Sequence, residues 1–139
     1  MIKQRRGRIS NIASLYAVFG SAFARPYSAA EGAVVQLTKS MAIGLPPFNV
    51  QVNALAPGSI ETGQPEFMKT TPVYQDVTAR TPAGRWAHPD ECAGAAVFLA
   101  PRASDFVTVS TLLVDGGYAT RRILVGPVIG NFPKTRGLR

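Results

Sequence analysis

The 139 residues contain one cysteine, one histidine and one tryptophan. A single cysteine, Cys92, excludes an internal disulfide and any cysteine-cluster metal site. Flanked by Ala93, Ala95 and Ala96, it reads as a packed helix residue. His88 stands directly before Pro89 and reads as a helix-entry residue, so no metal site is expected. No stretch approaches the roughly eighteen uninterrupted apolar residues of a membrane span. The charged amino end is not followed by the apolar core of a secretory leader. The expectation is a soluble, cytoplasmic protein with no membrane span.

Positive charge is plentiful, +7 overall, but it is confined to the ends. Lys3, Arg5, Arg6 and Arg8 lie at one end, and Arg121, Arg122, Lys134, Arg136 and Arg139 at the other. Between Ile9 and Thr120, six basic residues face eight acidic ones, a net charge of −2. The expected organisation is a basic segment over 1–8, one domain over 9–119 and a basic tail over 120–139. The length suits a single globular core. Basic ends bind nucleic acid or anionic membranes by counterion release, yet no aromatic residues interleave these clusters as base-stacking platforms would require. A solvated tail is the simpler reading of these ends, and nucleic acid is an unlikely partner.

Between the ends, the pattern alternates strand, helix, strand, helix, strand. Residues 8–14 form a short β-like run, residues 50–56 a second closed by Pro57-Gly58, and residues 111–115 a third stopped by Gly116-Gly117. A helix over residues 28–45 is expected to bury Val34, Leu37, Met41 and Leu45, which recur at spacings of three and four. A second helix starts at Pro89-Asp90-Glu91 and runs through Leu99, with proline and two acids suited to its first turn. Residues 61–85, punctuated by Pro65, Pro72 and Pro82, suggest a lid-like excursion with at most a short helix. Residues 123–130 are apolar but carry glycine and proline, and their reading as strand or coil stays open. The alternation implies parallel pairing with crossover helices.

Four blocks carry chemistry in order: Asn11-Ile12-Ala13-Ser14, Tyr27 to Ala33, Asn53-Ala54-Leu55-Ala56-Pro57-Gly58, and Val114-Asp115-Gly116-Gly117-Tyr118. Together they resemble the carboxy-terminal half of a short-chain dehydrogenase/reductase, over roughly residues 8–119. The resemblance implies an α/β fold, a partial Rossmann-like doubly wound parallel sheet of about three strands with crossover helices. It also implies hydride transfer between NAD or NADP and a small alcohol or carbonyl compound. Sugar acids, polyols and oxoacyl thioesters are the substrates it permits.

By position, the resemblance assigns Ser14 to hydrogen-bond the substrate oxygen and Tyr27 to give or take the proton. Tyr27 would also contact the cofactor, and Pro57, Gly58, Ile60 and Thr62 match positions at its nicotinamide end. A phenol ionises near pH 10 unaided. The family places a lysine four residues after the tyrosine, on the same helical face, where its ammonium favours phenolate and reaches the cofactor ribose. Here that position is Glu31. At about 5 Å and an effective dielectric of about 20, two unit charges interact by roughly 3 kcal/mol. Exchanging the cation for an anion therefore opposes phenolate at Tyr27. Lys39, eight residues further along the helix, is too far away to compensate.

A second departure concerns the diphosphate. The family binds it at a glycine-rich turn between a strand and a helix amino terminus, and no such turn occurs in the sequence. Three readings follow. The first is an NAD(P)-dependent oxidoreductase by resemblance, inactive by itself. The second is a non-catalytic remnant or interaction protein that docks on full-length relatives, or on copies of itself, through the 28–45 helix. The third is a basic-tailed binder of nucleic acid or membrane surfaces.

Overall fold

The computed structural model describes residues 1–100 and 102–120. Within them, three strands form one sheet in the order β1 (Gly7–Ile12), β2 (Val50–Pro57), β3 (Thr111–Val114). Both pairings are parallel, with Gly7 opposite Val50 and Ile12 opposite Leu55, and with Ala54 opposite Thr111 and Pro57 opposite Val114. Parallel neighbours require crossovers. Helix α1 (Arg25–Gly44) supplies the first, and α2 (Pro72–Arg80) and α3 (Ala93–Leu99) lie in the second. The expected partial Rossmann-like sheet is the observed one.

Strand β2 is the centre of the core. Val52, Ala54, Leu55 and Ala56 are no more than 2% exposed, as the near-continuous apolar run of a strand covered on both faces dictates. Leu99 of α3 is also fully buried. Among the described residues, strand β1 pairs on one side only. On the α1 face, Ala13, Val35 and Ala56 form one cluster, and Ala42, Val50 and Val52 another.

Helix α1 spans Arg25–Gly44 instead of the expected 28–45, because Pro26 fits the first helical turn, where its missing N–H costs nothing. Its buried face is also rotated from expectation, with Val35, Thr38 and Ala42 at the centre. Leu37 is 55% exposed, whereas Val34, Met41 and Leu45 flank the core half-buried. Thr38 tolerates full burial because its hydroxyl donates to Val34 O at 2.8 Å while accepting from Asn11 Nδ2 at 2.9 Å. Apolar spacing alone cannot anticipate that exchange.

Polar side chains brace the opposite side of the sheet. Asn53 donates to Val107 O at 2.9 Å and accepts from Ser110 N–H at 3.0 Å, tying β2 to the entry of β3. Arg8 pairs with Asp105 and donates to Gln51, and Arg5 donates to Pro47 O at 2.8 Å. Two cations of the basic amino segment are thus structural.

The long connection from β2 to β3 begins with an isolated bridge between Ile60 and Ala87. It continues through a 3-10 turn at Glu66–Thr70 into α2, which is the short helix the sequence allowed. The 89–99 helix opens as a 3-10 turn, Pro89–Cys92, before α3. His88 is its cap: the ring Nδ1 accepts from Asp90 N–H at 3.4 Å, and Glu91 Oε2 accepts from His88 N–H at 2.7 Å. The apolar run at 123–130 and the basic tail from 121 onward lie outside the described residues.

Candidate active site

The carboxyl end of β1 carries the first candidate. After Ile12 the chain leaves the sheet, with Ala13 N–H still donating to Leu55 O at 2.8 Å, and turns into a 3-10 helix over Leu15–Ala17. Ser14 caps this turn. It is 8% exposed, and its Oγ accepts from Tyr16 N–H at 3.2 Å, which leaves the hydroxyl hydrogen free to donate.

Tyr27 stands in the first turn of α1 and is 48% exposed. Its ring meets Tyr16 edge to face, with centroids 6.1 Å apart and planes at 86°. This contact joins the Ser14 turn to the Tyr27 turn. Tyr16 was not singled out by sequence reasoning, although its place two residues after Ser14 was the available signal. The hydroxyl of Tyr27 remains open toward solvent while its ring is held.

Glu31 follows one turn later. Its Oε2 is buried without a hydrogen-bond partner, and so is the Oγ of neighbouring Ser28. Neither atom supplies positive charge. Lys39 is exposed, two further turns along α1. One turn from Tyr27, α1 therefore carries a carboxylate and not a cation.

At the carboxyl end of β2 the chain runs Pro57-Gly58-Ser59-Ile60. A Cβ on Gly58 would lie 2.7 Å from Asp115 Cα, so glycine is required there for the exits of β2 and β3 to meet. Gly58 N–H donates to Val114 O at 2.9 Å. Asp115 holds the β3 exit by accepting from Gly117 N–H at 2.9 Å and Ala119 N–H at 2.7 Å. Thr62 is closed back by Gln64, whose Oε1 accepts its N–H at 2.7 Å and whose Nε2 donates to Ile60 O at 3.1 Å. Ser14, Pro57 and Gly58 thus lie at the carboxyl ends of neighbouring parallel strands, the edge at which open α/β sheets bind ligands.

Residues 1–119 match the family described as Enoyl-(Acyl carrier protein) reductase. The chain belongs to the short-chain dehydrogenase/reductase family. Among curated members, the 5-keto-D-gluconate 5-reductase of Escherichia coli (strain K12) is 43% identical over 121 residues, covering 84% of this chain and 46% of the relative. The gluconate 5-dehydrogenase of Gluconobacter oxydans (strain 621H) is 44% identical over 118 residues, covering 84% and 46%. Among solved family structures, a gluconate 5-dehydrogenase from Burkholderia cenocepacia J2315, in complex with NADP and tartrate, superposes with a TM-score of 0.80. It is 41% identical, with 86% of this chain and 48% of that chain covered. The chain spans about half the length of the curated relatives it matches.

The described residues do not by themselves fit the diphosphate of a dinucleotide. The 3-10 turn before α3 and helices α1 and α2 all carry proline in the first turn, which removes an N–H donor from the end where a diphosphate would bind. Glu31 can accept from a ribose hydroxyl but offers no donor to one. No helix among the described residues is long and apolar enough to cross a membrane.

Proposed function

We propose that this chain carries the substrate-orienting and proton-transfer side of an NAD(P)-dependent oxidoreductase acting on small hydroxy or keto acids of the gluconate type. The observation that carries the reading is the Tyr16–Tyr27 contact, which brings the Ser14 cap and the Tyr27 helix into one site at the carboxyl edge of the sheet. The names of the gluconate-type relatives support the substrate class.

In such a site the Ser14 hydroxyl donates to the substrate oxygen, and burial at 8% exposure strengthens that bond over its value in water. Tyr27 passes the phenolic proton to the same oxygen during reduction and accepts it during oxidation. NAD or NADP, when bound, supplies or takes the hydride. Among the described residues no helix opens on a glycine-rich turn to hold its diphosphate, and Glu31 stands where the family pattern has a lysine. The isolated chain is therefore inactive.

A fusion tests this reading. The segment of the Escherichia coli 5-keto-D-gluconate 5-reductase that precedes its matched region is placed ahead of this chain, with Glu31→Lys introduced. NADPH-dependent reduction of 5-keto-D-gluconate is then expected from the fusion, absent from the 139 residues alone, and lost on Tyr27→Phe. A folded fusion that binds NADPH yet shows no turnover overturns the assignment of Ser14 and Tyr27.

A second reading rests on the outward face of α1, where Leu37 and Ile43 are 55% and 77% exposed. Apolar surface of that kind suits docking on a relative or on a second copy.

A further inference from the structure

The stripe of α1 that meets the sheet runs through Val35, Thr38 and Ala42. Continued toward the amino end at the same spacings of three and four, it passes through Glu31 and Ser28. Val35 clusters with Ala13, so this continuation approaches the turn that Ser14 opens, and α1 packs against that turn. Ser28 and Glu31 are partly buried, while Arg25, Pro26 and Tyr27 beside them are exposed. The stripe thus changes from apolar to oxygen-bearing where it reaches the candidate site.

Thr38 and Ser40, the other two hydroxyl residues of α1, donate to the carbonyl one turn back, at 2.8 and 3.0 Å, the ordinary way for a helix to absorb such a group. Ser28 does not: its Oγ is buried without a partner, and so is Glu31 Oε2. Three residues apart on one helical face, these oxygens are neighbours that do not bond each other. A buried carboxylate oxygen is costly unless a donor meets it, and a charged donor meets it best. Among the described residues Glu31 forms no ion pair, and Arg25 and Lys39 on the same helix are exposed. A metal ion asks for more than two oxygens, roughly six to eight for calcium, and no group of three metal-ligating side chains occurs among the described residues. A primary ammonium has three donors on one charged nitrogen, which suits two acceptors on the protein and a third on the ligand or water.

We propose that Ser28 Oγ and Glu31 Oε2 form a subsite for a primary ammonium group. Resting on the proposed function, the ligand that brings it is a hydroxy or keto acid bearing an amino group, with its reacting oxygen at Ser14 and its ammonium on α1. Where the family pattern has a lysine of the protein, this chain takes the cation from its ligand.

The test is an NMR titration of the 139-residue chain at neutral pH and constant ionic strength, read at the amides of residues 27–32. Methylammonium should shift them saturably, and tetramethylammonium, a cation with no N–H donor, should not. Binding of methylammonium should weaken about tenfold in Glu31→Gln and about threefold in Ser28→Ala. The second variant only trims a hydroxyl and keeps the test decisive should the first fold poorly. No saturable shift, an equal response to tetramethylammonium, or undiminished binding in both variants would overturn the subsite. A second titration compares D-gluconate with 2-amino-2-deoxy-D-gluconate, and the amino compound should bind about tenfold more tightly. Equal binding of the two would overturn the amino acid as the ligand class. Neither titration uses cofactor or turnover, and the fusion is assayed on 5-keto-D-gluconate, which has no amine, so failure here is distinct from failure of the oxidoreductase reading.

Discussion

Glu31 is the residue on which the chemistry turns. It is where the chain departs from the family pattern, a carboxylate one turn along α1 from Tyr27 in the place of a lysine. The sequence made this legible because the tyrosine and the residue four places on are adjacent in any helix. It could not reveal that Glu31 Oε2 is buried without a partner, since that depends on how α1 lies on the sheet. The Arg85–Glu91 pair, with contacts of 2.7 and 2.6 Å, was likewise invisible because it depends on the fold of a loop. Bonded by that guanidinium and by His88 N–H, the Glu91 carboxyl titrates at about 2. A carboxylate with a depressed pKa stabilises the fold above its unfolded value, near 4.5, and that contribution is lost as pH falls through about 2. The protection of the His88 amide relative to its intrinsic exchange rate should therefore fall between pH 4.5 and 2 in the wild type. In Glu91→Gln that protection should be low throughout and change little over the same range. A flat profile in the wild type would contradict the coupling.

At the scale of elements, strands and crossovers were readable from alternation, and the facing of α1 was not. Two apolar stripes run along that helix, one through Val35 and Ala42 and the other through Leu37. The first meets the sheet, where Asn11 of β1 donates to Thr38 at 2.9 Å. Leu37 and Ile43 consequently face outward on the same element that holds Tyr27. Burying such side chains is worth roughly 1.5–3 kcal/mol each, a contribution in favour of association. Light scattering on the eluting chain should find species larger than a monomer, and Leu37→Ser with Ile43→Ser should shift them toward monomer. An indifferent double variant would remove the docking reading.

For the whole molecule, family membership and architecture agree. A three-stranded parallel sheet superposes on half of an NADP-bound gluconate 5-dehydrogenase, while Ser14 lies beyond the end of β1 as the cap of a 3-10 turn and not within the strand run expected over 8–14, and Tyr27 lies inside α1 and not ahead of it. Site geometry was less legible than site identity. The sequence grouped Gly58 with cofactor contacts, and the fold adds a second reason for it, the close approach of the β2 and β3 exits. For Tyr16 the only sequence signal was its place two residues after Ser14, because its contact with Tyr27 joins segments that only the tertiary fold brings together.

The central claim is that these residues hold the proton-transfer side of a dehydrogenase and not its dinucleotide side. Fluorescence titration with NADPH, exciting Trp86 and reading energy transfer to the nicotinamide, tests it most directly. The account predicts no saturable signal from the 139-residue chain. Saturable transfer at micromolar NADPH would contradict it.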